Sequence, residues 1–281
     1  MAANSALRRA VKRLLVRAIP ERLYSYVQAL VMAADIRSGR LSEPELGVLP
    51  VAVLPGDIAI DIGANYGLYS YHLSRAVGTT GRVYAFEPIP FTYHSLRLVA
   101  RILRMRNVEA FAKGCSDRTG PCVFRVPLQD SGAIAAGLAH IRPEPASDDM
   151  HSMGGRGTRE IAADLVALDE FLPPLPDVSF VKCDIEGAEL YAFKGFERTI
   201  ATHSPTVVCE IEQRHLSRFG LRREQVFAFF AEHGYRSFVW QDGGLRDADS
   251  SGAVPEGNVI FVHPRRLARV ASLVYGERSS S

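Results

Sequence analysis

Charged side chains cluster in the stretch VKCDIEG, where Lys182, Asp184 and Glu186 occupy alternate positions. A carboxylate there could take a proton from a substrate hydroxyl as a general base, or could help to hold a metal ion. The apolar run from Val178 to Cys183 predicts a buried strand that brings these charges to its carboxyl end. Charges at the tip of a buried strand need partners, because their desolvation is costly. An ion-pair cluster with a purely structural role is the alternative.

A second informative stretch, DIAIDIGANYG, runs from Asp57 to Gly67. It begins with a predicted short buried strand, Ile58 to Ile60, that ends at Asp61, and a predicted helix follows from Leu68 and stops at Gly78. A strand, a tight turn and a helix in this order place backbone N–H groups at one edge of a parallel sheet, where they bind an anionic or nucleotide-like ligand. Glycines after a strand are also common in turns that bind nothing. The turn residues are Gly63, Ala64, Asn65 and Gly67.

The next predicted strand, Arg82 to Phe86, ends in Glu87. An acidic residue at the tip of the second strand is where a ribose diol is bound through two hydrogen bonds. The two features together predict a cofactor that contains adenosine. The dinucleotide fingerprint G-x-G-x-x-G is incomplete, because Ala64 and Asn65 stand where its second glycine would fall. A pyrophosphate needs that close approach of the backbone, whereas a smaller zwitterion does not.

These stretches resemble the motifs of a known family. D-I-G-A-N-x-G followed by F-E-P is similar to the first two motifs of the FkbM family of S-adenosylmethionine-dependent methyltransferases, and K-C-D-I-E-G-A-E resembles its K-x-D-x-E-G-x-E signature. The likeness covers about Asp57 to Gln213. It implies a doubly wound, Rossmann-like class I methyltransferase fold of the α/β class, with a mostly parallel seven-stranded sheet. It also implies methyl transfer from S-adenosylmethionine to an oxygen acceptor, often a sugar hydroxyl of a natural product, glycolipid or polysaccharide.

The resemblance and the chemistry assign roles to individual residues. Asp184 is the candidate catalytic base, and Lys182 and Glu186 would orient it or the acceptor. A divalent ion such as Mg²⁺, held by Asp184 with Glu210 or Glu212, remains open, because carboxylates at adjacent strand tips suit it. The candidate cofactor-binding residues are Asp61, Gly63, Asn65, Gly67, Glu87, Ser116, Asp117 and Asp184.

Ser116 and Asp117 follow the third predicted strand, Val108 to Lys113. An acid at this position could accept an N–H from an adenine amino group, and the family resemblance favours that role. A Ser-Asp pair is otherwise typical of a simple turn.

The stretch from Pro127 to Glu160 is predicted to be a flexible, irregular insertion. Loops of this length inside a compact domain are usually functional lids or disordered segments. It stands where a flap specific for the acceptor would reach over the cofactor. His140 and His151 are candidate bases within it, although loop histidines are usually just solvated.

The remaining patterns complete an α/β domain. We predict a methyltransferase domain over residues 51–264, an N-terminal extension and linker over residues 1–50, and a tail over residues 265–281 that frays from Gly276. The linker is inferred from Pro44, Gly47, Pro50 and Pro55. The other predicted elements are a helix over residues 89–106, a strand over 161–168, a short helix over 169–172, a strand over 206–211, a helix over 221–233 and a final antiparallel hairpin over 235–240 and 258–262.

The N-terminal segment has its own pattern. Apolar residues recur at helical spacing between Leu7 and Ala18, and five basic residues from Arg8 to Arg17 fill the other faces. Such a basic amphipathic helix can make peripheral contact with an anionic membrane surface, and a solvated helix packed loosely on the domain is the alternative. The uncharged run from Leu23 to Ala34 is too short and too polar to span a bilayer.

Composition bounds the remaining function classes. The chain has 281 residues and a net charge of +2, which suit one α/β domain and do not demand nucleic acid. Four cysteines without regular spacing argue against a disulfide framework and a zinc site. They favour a reducing, cytoplasmic setting. If the N-terminal helix binds a membrane, the protein would lie at the inner membrane face. Cys183 and Cys209 lie in apolar runs and are predicted to be inert buried thiols.

Two other function classes stay open beside the methyltransferase. A nicotinamide-dependent oxidoreductase is disfavoured by the missing glycine and by the K-x-D-x-E-G stretch. A non-catalytic module could bind a membrane or polyanion through the basic segment and keep a degenerate pocket, but the full set of charged strand-tip residues argues against it. The acceptor, the metal dependence and the oligomeric state are not specified by these patterns.

Overall fold

The computed structural model describes residues 21–127, 140–141, 157–248 and 256–275. In chain order the strands are β1 (Ile58–Ile62), β2 (Arg82–Phe86), β3 (Val108–Phe111), β4 (Gly114–Cys115), β5 (Gly120–Pro127), β6 (His140–Ile141), β7 (Thr158–Val166), β8 (Val178–Cys183), β9 (Thr206–Ile211), β10 (Arg236–Gln241), β11 (Gly244–Asp247) and β12 (Gly257–Val262). The α-helices are α1 (Glu21–Arg37), α2 (Leu49–Ala52), α3 (Leu68–Val77), α4 (Pro90–Ile102), α5 (Leu168–Phe171), α6 (Glu189–Lys194), α7 (Glu197–His203), α8 (Gln213–Leu216), α9 (Arg223–Glu232) and α10 (Pro264–Val270).

The larger sheet has the order β11-β10-β12-β9-β8-β1-β2-β3, and its strands from β9 to β3 are parallel. The chain enters at the centre with β1, winds outward to β3, and then returns to continue from β8 towards the other edge. This order leaves a crevice between β1 and β8 at their carboxyl ends, the usual ligand position in such sheets. The predicted doubly wound, mostly parallel α/β fold is confirmed.

The sheet has eight strands among the described residues, one more than predicted. The additional strand is β11, which forms a hairpin with β10 around Asp242 and Gly243. Both turn residues have positive φ, 48° and 80°, as a two-residue hairpin turn requires. β10 and β12 pair antiparallel as predicted, but they do not form a hairpin, because β11 lies between them in the chain. An Asp-Gly pair between two strand-like segments is a strong hairpin signal in the sequence.

The central strands are buried on both faces. In β8, Phe180 contributes to one hydrophobic cluster and the next residue, Val181, to the cluster on the opposite face. Successive side chains of a strand point to opposite faces, so helices must cover both. Phe193 of α6 and Phe230 of α9 pack in the cluster of Val181, and Leu73 of α3 packs in the cluster of Phe180. This two-sided packing fixes the strand tips that carry the charged residues.

The predicted linker is instead part of the core. Pro44–Val48 forms a 3-10 turn, which continues directly into α2. Val48, Leu49, Ala52 and Val53 are buried in the same cluster as Leu73. The prolines were interpreted as linker residues, but a proline at the start of a helical turn is favourable because its missing N–H would have no partner there.

The predicted flexible insertion is bordered by ordered strands. A second sheet has the order β4-β7-β5-β6, and β5 pairs with β7 antiparallel from Gly120 to Pro127. Pro127 and Glu160 therefore lie in strands, which corrects the ends of the predicted irregular stretch. The backbone of His140 belongs to β6, whereas His151 lies outside the described residues.

The basic segment before Glu21 and the residues from Gly276 lie outside the described residues. The predicted tail over residues 265–281 is wrong in its first part, because α10 runs to Val270, and Val270 and Val274 are buried in the core. Within the described ranges, no helix is long and apolar enough to cross a membrane. All four cysteines are free, and Cys183 and Cys209 are buried as predicted.

Candidate functional site

A cavity of about 370 Å³ lies at the carboxyl ends of β1, β2, β8 and β9, within the size range of ligand pockets. The predicted site residues that line it are Asp61, Gly63, Asn65, Glu87, Lys182, Asp184, Glu186 and Glu210. Gly67, Ser116, Asp117 and Glu212 are not among its lining residues. Sequence reasoning missed Met32, Leu41, Glu43, Tyr66, Tyr69 and Phe124, which come from α1, the following turn, α3 and the second sheet.

The glycine turn brings β1 and β8 into close contact. Gly63 has φ +78°, and a Cβ atom added there would lie 2.0 Å from the backbone oxygen of Asp184. The N–H of Asp184 in turn donates to the carbonyl of Ile62. Only glycine allows this approach, and the approach fixes where the Asp184 side chain begins.

Four N–H groups of the glycine turn are engaged within the protein. The N–H groups of Gly63 and Ala64 both donate to the carbonyl of Phe86. The N–H of Asn65 donates to the carboxylate of Glu87 at 3.0 Å. The N–H of Gly67 donates to the carbonyl of Ala64. These bonds tie the end of β1 to the end of β2, a contact between segments that local sequence patterns do not reveal.

Glu87 is buried at the tip of β2. Its carboxylate accepts the N–H groups of Asn65 at 3.0 Å and of Ile89 at 2.9 Å, one on each oxygen. Burial raises the pKa of Glu87 to about 7, against the opposing effect of these two hydrogen bonds. Each carboxylate oxygen has a second lone pair, so the side chain can still accept two hydroxyl hydrogens of a ribose. The side-chain oxygen of Asn65 is also buried without a hydrogen-bond partner, so an acceptor for a ligand N–H is available beside it.

Lys182 is the one basic residue that lines the cavity. Its ammonium nitrogen lies 3.1 Å from the side-chain oxygen of Asn258, 3.6 Å from a carboxylate oxygen of Asp184 and 5.0 Å from the centre of the Tyr69 ring. Burial by itself lowers the pKa of Lys182, but the carboxylates of Asp184 and Glu43 raise it by more. Lys182 therefore stays charged and holds Asp184 in place.

Carboxyl groups meet at the tips of β8 and β9. The side chain of Glu210 shares a hydrogen bond with that of Asp184, and burial together with the Asp184 charge raises the pKa of Glu210 to about 8. The raised pKa favours the protonated form of Glu210. Glu186 lies 3.2 Å from His215 and 3.9 Å from Arg218, and burial raises its pKa to about 8 as well.

The candidate metal ligands differ from the predicted set. Among the described residues, ligand atoms of Glu186, Glu210 and His215 lie within 4.8 Å of one another. Glu212 lies outside this group and pairs with Arg214. His215 was not anticipated, although it stands on α8, directly after β9. A nitrogen ligand with two carboxylates suits a transition metal better than Mg²⁺, which prefers oxygen ligands.

Ser116 and Asp117 lie beside the site without lining it. The N–H of Ser116 donates to the carbonyl of Val166, and its hydroxyl lies 3.2 Å from the carboxylate of Asp117. A small adjoining cavity is lined instead by the preceding residues, Lys113, Gly114 and Cys115. If this segment contacts an adenine, we therefore expect Lys113, Gly114 or Cys115 to make that contact rather than Asp117.

The buried carboxyl groups make the stability of the ligand-free protein depend on pH. The pKa is raised to about 6 in Asp61, to about 7 in Glu87 and to about 8 in Glu186 and Glu210, chiefly by burial. Between about pH 4.5 and pH 8 the folded state thus binds more protons than the unfolded chain. Stability falls with rising pH wherever the folded state binds more protons. We expect Tm to decline from pH 5 to pH 8.

Glu210→Gln should reduce that decline, because the amide resembles the protonated acid and does not titrate. The measurement is Tm by calorimetry at pH 5, 6.5 and 8 without ligand. Glu109→Gln is the matched control, since Glu109 is a half-exposed carboxylate on β3 that pairs with Arg82. An equal pH dependence in both variants and the wild type would show that Glu210 titrates normally.

The sheet order and the acidic cavity at its switch point define a doubly wound α/β protein with a site for a nucleotide-like ligand. The chain belongs to the FkbM methyltransferase family, whose Methyltransferase FkbM domain matches residues 61–237. The resemblance inferred from the motifs is confirmed.

Individual relatives are distant. Methyltransferase 1 of Beauveria bassiana (strain ARSEF 2860) is 24% identical over 155 residues, which make up 52% of this chain and 61% of the relative. The crystal structure of methyltransferase FkbM from Methylobacillus flagellatus KT is 17% identical, with a TM-score of 0.46, over 73% of this chain and 43% of that one. A SAM-dependent methyltransferase from Aquifex aeolicus is 15% identical, with a TM-score of 0.41, over 82% of this chain and 97% of that one. The chain thus spans less than two thirds of the first two relatives.

Proposed function

We propose that the protein is an S-adenosylmethionine-dependent O-methyltransferase that acts on a sugar hydroxyl of a glycolipid, polysaccharide or natural product. The observation that carries the cofactor assignment is the charge of the cavity. Its lining includes one ammonium, that of Lys182, and the six carboxyl groups of Glu43, Asp61, Glu87, Asp184, Glu186 and Glu210. An acidic, partly desolvated cavity favours a sulfonium cation.

The same acidic lining disfavours a nicotinamide dinucleotide, because it includes a single cation, Lys182. Its pyrophosphate carries two negative charges and needs N–H donors from the glycine turn. In this turn the N–H groups of Gly63, Ala64, Asn65 and Gly67 are engaged within the protein. The oxidoreductase alternative is therefore disfavoured on both charge and hydrogen bonding.

The chain's own residues have defined tasks in the proposed reaction. Glu87 binds the ribose diol, and Asn65 offers an acceptor to an N–H of the ligand. When bound, S-adenosylmethionine supplies a methyl group that is already activated for in-line displacement. The protein must then align the acceptor hydroxyl and take its proton.

Asp184 is the proposed proton acceptor. It lines the cavity beside Glu210, whose raised pKa favours its protonated form. Lys182 holds the carboxylate from one side. Glu186 lies on the other side, paired with His215, and is proposed to position the acceptor. The alternative is that a divalent ion, such as Mg²⁺, activates the hydroxyl in place of a general base. Activity measured before and after treatment with EDTA tests this alternative.

Phe124, Met32 and Leu41 add apolar surface to the cavity wall. We propose that a small-molecule or glycan acceptor enters between them, and that no nucleic acid is involved. The free cysteines support a reducing, cytoplasmic setting for the reaction. The non-catalytic alternative is tested by an acceptor screen, in which hydroxylated sugars and glycolipids are incubated with the protein and radiolabelled cofactor.

Cofactor binding is the first test. The wild type should bind S-adenosylhomocysteine in calorimetry, and Glu87→Gln should weaken that binding by about one to two decades in Kd, because a charge-assisted hydrogen bond contributes ~1.5–3 kcal/mol. The control Glu109→Gln removes an exposed carboxylate on β3 that pairs with Arg82, and it should bind normally. Binding of NAD without binding of S-adenosylhomocysteine would overturn the cofactor assignment.

A further inference from the structure

Helix α1 exposes large apolar side chains on its outward face, although its buried face, with Tyr24, Ala29, Ala33 and Ile36, is mostly apolar as well. Its polar residues Ser25 and Asp35 are buried, whereas its outward face is apolar. Leu23 is 51% exposed, Tyr26 50%, Leu30 59% and Val31 39%. Leu23, Tyr26 and Leu30 recur at spacings of three and four, so they form one stripe along the helix, and Val31 widens it at its C-terminal end.

A row of basic residues runs beside this stripe on α4. Helix α1 packs on α4 through Ala29, Ala33 and Val99, and the ring of Tyr26 contacts the ring of His94 edge-on, with centroids 5.8 Å apart. The sequence has no acidic residue between Glu87 and Glu109. The α1–α4 face comprises the apolar stripe Leu23, Tyr26, Leu30 and Val31 and the exposed basic row His94, Arg97, Arg101 and Arg104.

We propose that the α1–α4 face docks on an anionic lipid bilayer. Leucine, valine and tyrosine side chains can enter the boundary between headgroups and acyl chains, while arginines beside them contact the anionic headgroups. Each basic residue near an anionic surface contributes attraction that salt screens. The combination of an exposed apolar stripe with an adjoining basic row matches both parts of such a surface.

Charge decides against two other occupants of this face. A second copy of the chain would present the same arginine row, so the two faces would repel each other. Residues 1–20 carry five basic residues between Arg8 and Arg17 and no acidic residue, so they too have the sign of the row. Their charge adds instead to the attraction of the chain to an anionic bilayer.

The docking rests on this surface alone and does not depend on the proposed activity. Its consequence for that activity is positional, because α1 also supplies Met32 to the cavity wall. The cavity would then lie about one helix diameter, ~10 Å, from the headgroups.

The test uses the full chain and vesicles of phosphatidylcholine, with and without phosphatidylglycerol. The wild type should sediment with the mixed vesicles only, and added salt should release it. Leu30→Glu should lower the partition coefficient on the order of tenfold or more, and Arg101→Glu by at least about fivefold. Leu54→Glu, at an apolar residue 44% exposed outside this face, and Arg265→Glu, at an exposed arginine on α10, should bind as the wild type does.

Three results would overturn the proposal. The first is absence of binding to the mixed vesicles, or equal binding by the wild type and Leu30→Glu. The second is a wild-type dimer in vesicle-free ultracentrifugation that Leu30→Glu converts to a monomer, which would assign the face to a second copy.

The third concerns a polarity-sensitive fluorophore on Leu30→Cys. We expect its emission to shift only when mixed vesicles are added. The background is measured on the wild type treated with the same label, whose cysteines are buried or half-buried. An apolar emission in a vesicle-free monomer would show that residues 1–20 cover the stripe.

Discussion

Replacing Asp184 with asparagine should lower kcat by ~10²–10⁴-fold, the usual effect of losing a general base. The amide has nearly the shape of the carboxylate, so folding and the Kd for S-adenosylhomocysteine should stay close to the wild-type values. The reason is chemical, because an amide oxygen cannot take the hydroxyl proton that the carboxylate takes. The measurement is a radiolabelled-methyl assay with an acceptor found by screening.

Glu109→Gln is the control for Asp184→Asn, since it also removes one carboxylate, but on β3 and outside the cavity lining. Its turnover should match the wild type. A structural role for the charge cluster predicts the reverse for Asp184→Asn, namely altered stability with normal turnover of the surviving protein. That result would remove Asp184 from the mechanism. A metal mechanism adds a separate signature, loss of wild-type activity with EDTA and its return with a divalent ion.

The parts of the site on strand tips could be predicted from sequence because their signal is local. The run Val178–Cys183 is apolar and bounded, so Asp184 had to stand at the end of a strand. The same reasoning located Glu87 after β2 and Glu210 on β9. Parallel strands bring their carboxyl ends to one edge, so these carboxyl groups were expected to converge.

The parts that could not be predicted depend on contacts between distant segments. Lys182 is held by Asn258, 76 residues later in the chain. Glu43 enters the cavity from a proline-containing turn whose sequence is also typical of a linker. The N–H of Asn65 donates to the carboxylate of Glu87, 22 residues away, and this bond ties the turn to the end of β2. No periodicity within either segment carries such information.

Gly63→Ala should have the largest effect on the fold of the site. The new Cβ would lie 2.0 Å from the backbone oxygen of Asp184, which cannot move without separating β1 from β8. The substitution combines the cost of a left-handed residue, ~1–2 kcal/mol, with overpacking of ~1–3 kcal/mol. We expect a loss of ~2–5 kcal/mol in the free energy of unfolding, measured in urea, together with loss of S-adenosylhomocysteine binding.

Gly39→Ala separates the two causes. Gly39 has a similar positive φ, +70°, but no atom lies within 4 Å of a Cβ added there. It should therefore show only the conformational cost and bind S-adenosylhomocysteine as the wild type does. The difference between the two variants measures the close approach of β1 and β8 by itself, and that approach positions Asp184. If Gly63→Ala is no less stable than Gly39→Ala and binds equally well, the backbone at Asp184 can yield, and the turn does not position the proposed base.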